Sequence, residues 1–97
     1  MTPETLLRNK ITAALQKLKL SGEQIEWRKV LGTTASNGEP DWDIVYRGHS
    51  VKLEAKSKNG RVSKLQEYRM RQWAAAGATV GVVRTVDEVL EILRLLK

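Results

Sequence analysis

Leu7, Ile11, Leu15 and Leu18 recur at helical spacing near the start of the chain. Thr2 can cap such a helix and Pro3 suits its first turn, so the pattern predicts a helix over Pro3–Leu20, ended by Ser21-Gly22. A strand is predicted near Ile25–Leu31, followed by GTTASNGEP, a polar and turn-rich loop. WDIVY and VKLEAK flank RGHS, which reads as a hairpin turned around Gly48. After the KNGRV loop, S-K-L-Q at Ser63 fits a capping box, and the helix it opens should run to Ala76 with Gly77 as its C-cap. TVGVVRT is almost wholly apolar, the pattern of a strand buried on both faces. T-V-D-E at Thr85 resembles a second capping box, and the helix it starts should run to the end of the chain.

The predicted order is αβββαβα. The first three strands should form an antiparallel meander. The strand–helix–strand unit from Val51 to Arg84 should be a right-handed crossover between parallel strands. The expected fold is α/β, one domain over residues 1–97, with a mixed four-stranded sheet flanked by helices.

The hairpin stretch PDWDIVYRGHSVKLEAK adds chemistry. If the turn centres on Gly48-His49, Tyr46 faces Val51, Ile44 faces Leu53 and Trp42 faces Ala55, all on one apolar face. Asp41, Asp43 and Val45 then share the other face with Lys52, Glu54 and Lys56, with Asp41 opposite Lys56 and Asp43 opposite Glu54. Facing carboxylates repel, and such a cluster calls for a cation or a raised pKa. Lys56 supplies one positive charge, and a hard divalent metal would supply more. Alternation alone favours a solvated hairpin face. Gly38-Glu39-Pro40-Asp41 weakens that reading, because a tight turn before the strand can aim Asp41.

Composition narrows the chemistry. The chain has 97 residues, 41% hydrophobic and 29% charged, which suits a folded domain and not a disordered one. With no cysteine and one histidine, thiolate nucleophiles and Cys- or His-rich metal sites are excluded, which leaves oxygen ligands and thus Mg²⁺, Mn²⁺ or Ca²⁺. Seventeen Lys and Arg against eleven Asp and Glu leave a net charge of +6, which suits a polyanion, either nucleic acid or an anionic membrane surface, and equally serves solubility. No apolar run reaches the roughly 18 residues of a membrane span. MTPETLLRNK lacks the basic and apolar regions of a secretory signal, so a cytoplasmic location is expected.

Gly38-x-Pro40-Asp41, then Glu54-x-Lys56, then Ser63-x-x-Gln66 on a helix that ends in Gly, then an apolar strand, resembles the VRR-NUC branch of the PD-(D/E)xK nuclease superfamily. Glu4, near the start of the first helix, also fits that pattern, and the resemblance covers nearly the whole chain. It implies a restriction-endonuclease-like core and a Mg²⁺- or Mn²⁺-dependent endonuclease that hydrolyses phosphodiester bonds in DNA. Small stand-alone members, as in phage genomes, resemble Holliday-junction resolvases and act as homodimers. Carried over by position, Asp41 and Glu54 would ligate the metal, with the Ala55 backbone carbonyl beside them. Lys56 would hold or polarise the attacking water and offset phosphate charge. Glu4 would complete the acidic shell, directly or through water, and Gln66 would orient Lys56 or the water. Asp43 lies outside the motif and could be a supporting acid, a further ligand or a surface residue. Glu4 also suits the first turn of any helix, and Gln66 is also claimed by the Ser63 capping box, so the two uses of its amide should compete.

Basic residues surround these positions. Lys58, Arg61 and Lys64 follow the ligand strand, Arg69 and Arg71 lie on the second helix, Arg8 and Lys10 on the first, and Arg28 and Lys29 on the first strand. They are candidates for phosphate contacts, as is the GTTASNG loop, with recognition by shape rather than base sequence. Trp42 is expected in the core and Trp73 partly exposed. His49 is placed in the turn with no chemical role. Val86, Val89, Leu90, Ile92, Leu93, Leu95 and Leu96 make the last helix more apolar than one core stripe needs, which fits a symmetric interface or deep burial in its own domain. A flap or duplex nuclease, or a non-catalytic nucleic-acid-binding module, remains as an alternative.

Overall fold

The computed structural model describes residues 1–30 and 38–96. Leu31 and the loop residues 32–37 lie outside the described residues. Seven elements follow one another in the predicted order: α1 (Pro3–Leu20), β1 (Ile25–Lys29), β2 (Trp42–Tyr46), β3 (His49–Ala55), α2 (Lys64–Ala75), β4 (Thr79–Val83) and α3 (Val86–Arg94). The caps form largely as read. The Thr2 side chain accepts from the Thr5 N–H. Ser63 and Gln66 close a full capping box. At α3 only half a box forms: Thr85 accepts from the Glu88 N–H, while the Glu88 carboxylate takes the Arg84 N–H instead (2.6 Å).

The sheet order is β1-β2-β3-β4. The first three strands are antiparallel, and β3 and β4, joined through α2, are parallel. Ile11 and Leu15 of α1 and Val89 and Leu93 of α3 cover one face of the sheet, against Trp42, Ile44, Tyr46, Val51, Leu53, Ala55 and Val83. Leu7 and Leu18 extend that stripe, and Trp27 packs at its margin. The opposite face lies under α2 and contains the even-numbered residues of β3.

Two expectations are corrected. The hairpin register differs by two residues: Tyr46 pairs with His49, Ile44 with Val51, Trp42 with Leu53 and Asp43 with Lys52. The cause is the turn, which uses Arg47 and Gly48, both at positive φ (49° and 84°), the backbone of a two-residue hairpin turn whose twist matches the strands. His49 is therefore the first residue of β3 and not part of the turn. A shift of two preserves side-chain parity, so the apolar face is as predicted, but Asp43 does not face Glu54. The second correction concerns β4. It is an edge strand with Val83 buried on the core face and Val82 37% exposed on the α2 face, so burial is complete on one face only.

The register makes a direct prediction. Ile44 is fully buried and Val45 is half exposed. Ile44→Ala should lower the unfolding free energy by about 2–5 kcal/mol, and Val45→Ala by no more than about 0.5 kcal/mol. Chemical denaturation of both variants reads the difference, and equal losses would contradict the assigned faces.

Candidate active site

The corrected register brings Asp41, not Asp43, to Glu54. One step beyond the Trp42–Leu53 pair, Asp41 lies across from Glu54, and its Oδ2 accepts the Ala55 N–H at 2.9 Å. Asp41 thus takes over the hydrogen bond at the end of β3, which holds its carboxylate over the strand. Glu54 is only 2% exposed, and its Oε1 is buried with no hydrogen-bond partner. A buried carboxylate oxygen without a donor is costly unless it gains a proton or a cation. Burial first, and the Asp41 charge second, push the Glu54 carboxyl up to about 7, while Lys56 and Arg8 pull it down. The donor set of two adjacent carboxylates, one with a bare oxygen, fits a hard divalent cation. Among the described residues no group of three or more acidic or imidazole side chains converges, so the pair is the whole acidic centre.

Asp43 belongs to a different cluster. Its carboxylate meets Lys52 and Arg28, the latter at 3.2 Å. Burial pushes its carboxyl up, but hydrogen bonds and charge from Lys52 and Arg28 outweigh that and hold it below the usual range.

The helix α2 orients the pair from above. The Gln66 Oε1 accepts the Ser63 N–H at 2.9 Å, and its Nε2 donates to Glu54 Oε2 at 3.1 Å. The capping and site roles expected to compete are divided between the two ends of one amide. The cap fixes which end is the oxygen, so it also directs the NH₂ group to Glu54. Lys56 Nζ stands 3.6 Å from Glu54 Oε2 and 4.0 Å from Glu4 Oε1, with its side chain mostly buried.

The approach to Asp41 is clamped to the same helix. Glu39 receives Arg69 and the Trp73 indole N–H (3.3 Å). Lys52 Nζ lies 4.1 Å from the Trp73 ring centre. Trp73 is partly exposed as expected, and it also bridges the two clusters through Glu39 and Lys52. Gly38 has φ +81°, and a Cβ there would come within 2.6 Å of the Leu65 side chain. These contacts give the Gly-Glu-Pro-Asp turn a physical reason: glycine to pass Leu65, glutamate to grip α2, and proline before the ligand-type aspartate.

From the other side, α1 brings Glu4 and Arg8. Arg8 Nη2 donates to Glu4 Oε1 at 3.2 Å, and its Nε lies 3.4 Å from Asp41 Oδ2. Glu4 faces Arg8 and Lys56 and does not join the acidic pair. Arg8, expected among the phosphate contacts, lies beside the acidic pair. The i,i+4 spacing from Glu4 was the sequence signal for that pairing.

The remaining cations spread unevenly. Lys58, Arg61 and Lys64 are exposed on the loop and first turn that follow Lys56. Arg84, overlooked in the sequence, bonds the carbonyls of Ser57 (2.5 Å) and Gly60 (2.8 Å) through Nη1 and so shapes that loop. Lys10, Lys58 and Arg84 line a surface hollow of about 250 Å³, with Pro3 beside Glu4 and Ser57 beside Lys56. Arg28 and Lys29 are exposed on β1, Arg28 on the Asp43 side and Lys29, paired with Trp42, on the other. Arg71 lies 4.0 Å from Glu67 and lines a separate hollow along β4 with Val80 and Val82.

Solved structures with the same fold are known. One described as a VRR_NUC domain matches over 100% of both chains, with a TM-score of 0.76 at 21% sequence identity. A VRR_NUC domain protein matches over 97% of this chain and 87% of its own, with a TM-score of 0.71 at 19% identity. No family model and no curated protein matches the sequence. The chain therefore has the VRR_NUC fold over its full length, the fold that the Gly38-x-Pro40-Asp41 and Glu54-x-Lys56 pattern implied.

Glu54 makes the metal-free protein pH-sensitive. Its carboxyl titrates at about 7 when folded, against 4.5 for the ordinary value, so the folded state binds more protons between those limits. Stability should therefore fall as pH rises through that window, by roughly 3 kcal/mol in all. Denaturation across the window in EDTA measures it. Glu54→Gln should abolish the slope, and a slope retained in that variant would assign it to another group.

Proposed function

We propose that this protein is a divalent-metal-dependent nuclease that hydrolyses phosphodiester bonds in DNA. The observation that carries the reading is the Asp41–Glu54 pair, with its bare buried oxygen and Lys56 3.6 Å from the same carboxylate. Asp41 and Glu54 would hold the cation, with the Ala55 carbonyl as a further oxygen ligand and Glu4 reaching it through water. Mg²⁺ or Mn²⁺ held there would supply positive charge against the phosphate and lower the pKa of water.

The chain's own residues do the rest. Hydrolysis adds a water oxygen to phosphorus, expels a sugar oxygen and builds negative charge on the phosphoryl oxygens. Lys56, held by Glu54 and Glu4, places an ammonium where that charge grows or where the attacking water sits. Gln66 keeps Glu54 in one rotamer, so the carboxylate geometry is set before substrate arrives. Lys10, Lys58 and Arg84, with Arg61 and Lys64, provide a positive rim for the DNA backbone around a negative centre.

Branched DNA, such as a Holliday junction, is the proposed substrate, and a homodimer the proposed working unit. Both rest on the resemblance of the motif set to small stand-alone VRR-NUC nucleases. The α3 surplus is compatible with an interface: Val89 and Leu93 are buried, while Leu90 and Leu95 are 38% and 66% exposed. Among the described residues no helix is long and apolar enough to cross a membrane, and the basic rim is assigned to nucleic acid.

The test is a panel of labelled junction, flap, splayed and duplex DNA with Mg²⁺, Mn²⁺ or EDTA, alongside native mass. Cleavage that EDTA stops, and that Lys56→Ala lowers by about 100-fold or more, is expected. Binding without cleavage under every metal would replace the enzyme with a DNA-binding module. Neutralising Lys58, Arg61 and Lys64 together should weaken DNA binding and flatten its salt dependence. An unchanged salt slope would move the DNA path elsewhere.

A further inference from the structure

We infer that Arg8 is a positioning residue that holds Asp41 in the metal-free site and is exchanged for the cation when metal binds. The inference rests on the nuclease reading of the site and adds a competing internal cation to it. Arg8 is on the second turn of α1, and its guanidinium reaches two carboxylates at once: Glu4 through Nη2 at 3.2 Å and Asp41 through Nε at 3.4 Å. Its side chain is 25% exposed, and that of Asp41 16%, so the contact is partly shielded from water. An i,i+4 pair with Glu4 alone would be ordinary helix-surface chemistry. The reach to Asp41 is different, because it ties α1 to the start of β2 through the acid that the cation would need.

The Asp41–Glu54 pair, and Glu4 beyond it, are answered by two cations, Arg8 and Lys56. Lys56 sits by Glu4 and Glu54. Arg8 is thus the side-chain cation assigned to Asp41. A divalent ion held by Asp41 and Glu54 would add positive charge to the carboxylate that Arg8 already pairs with, and like charges sharing one partly buried acid repel. Arg8 must therefore give up Asp41 as metal binds. Glu4 keeps it tethered, and its planar fork is free to take a phosphate.

Thermal unfolding in EDTA and in saturating Mn²⁺, with calorimetric Mn²⁺ titration, tests this on the full chain. Arg8→Gln should unfold at a lower temperature than wild type in EDTA, and most of that deficit should close in Mn²⁺. Its Mn²⁺ affinity should tighten by about threefold or more, since a competing charge is gone. Arg8→Lys, which keeps the charge, should stay within about twofold of wild type. A deficit of equal size in both conditions, or weaker Mn²⁺ binding by Arg8→Gln, would reduce Arg8 to a structural tie and overturn the inference. Asp41→Asn separates the two levels. If it binds Mn²⁺ as wild type does, the site reading fails and Arg8 with it. If it loses Mn²⁺ while Arg8→Gln binds no tighter, the site stands and only the exchange is refuted.

Discussion

The structure turns on two carboxylates that neighbouring strands bring together in a place too dry for both to be charged without help. Asp41 is held by the Ala55 N–H and Glu54 by the Gln66 amide, so neither can swing away to relieve the repulsion. One Glu54 oxygen remains without a partner. Everything around the pair can be read as an answer to that problem. Lys56 and Arg8 bring positive charge from β3 and α1. Gln66 stabilises one oxygen, a proton can satisfy the other in the metal-free protein, and a divalent cation suits it better.

The supporting residues form a second layer of constraint, tied to α2. The same amide that caps α2 through Ser63 holds Glu54, so one side chain ties the helix cap to the carboxylate. Glu39, Arg69 and Trp73 fasten the turn before Asp41 to the middle of that helix. Lys52 completes the join by lying over Trp73 while it neutralises Asp43. The result is a preorganised first layer on a strand pair, supported by a helix, as a site that must hold its geometry requires.

Much of this was legible in the sequence, and the failures have physical causes. The helix limits and caps came from local chemistry that acts within a few residues, and α1 follows Thr2-Pro3 and the Leu7–Leu18 stripe closely. The hairpin faces came from alternation. Alternation has a period of two, so it cannot distinguish registers two residues apart, and it paired Asp43 with Glu54 when Asp41 is the true neighbour. Only the conformations of Arg47 and Gly48 decide between them. The apolar run of β4 could not say whether the strand is central or at an edge, because that depends on where the chain goes next. Arg8 and Arg84 were counted by charge or passed over, since their partners, Asp41 and the Ser57–Gly60 carbonyls, are distant in sequence. The motif set singled out Asp41, Glu54, Lys56 and Gln66, which the fold brings side by side, whereas the contact of Trp73 with Glu39 was not legible because two strands separate them in sequence.

The account depends on a cation lying between Asp41 and Glu54. A crystal structure of the protein grown with Mn²⁺, phased to give an anomalous difference map, tests that most directly. A peak within coordinating distance of both carboxylates, at the presently bare oxygen of Glu54, is the expected result. A map with no peak there, with Glu54 still unpartnered or Mn²⁺ bound at the Asp43 cluster instead, would contradict it.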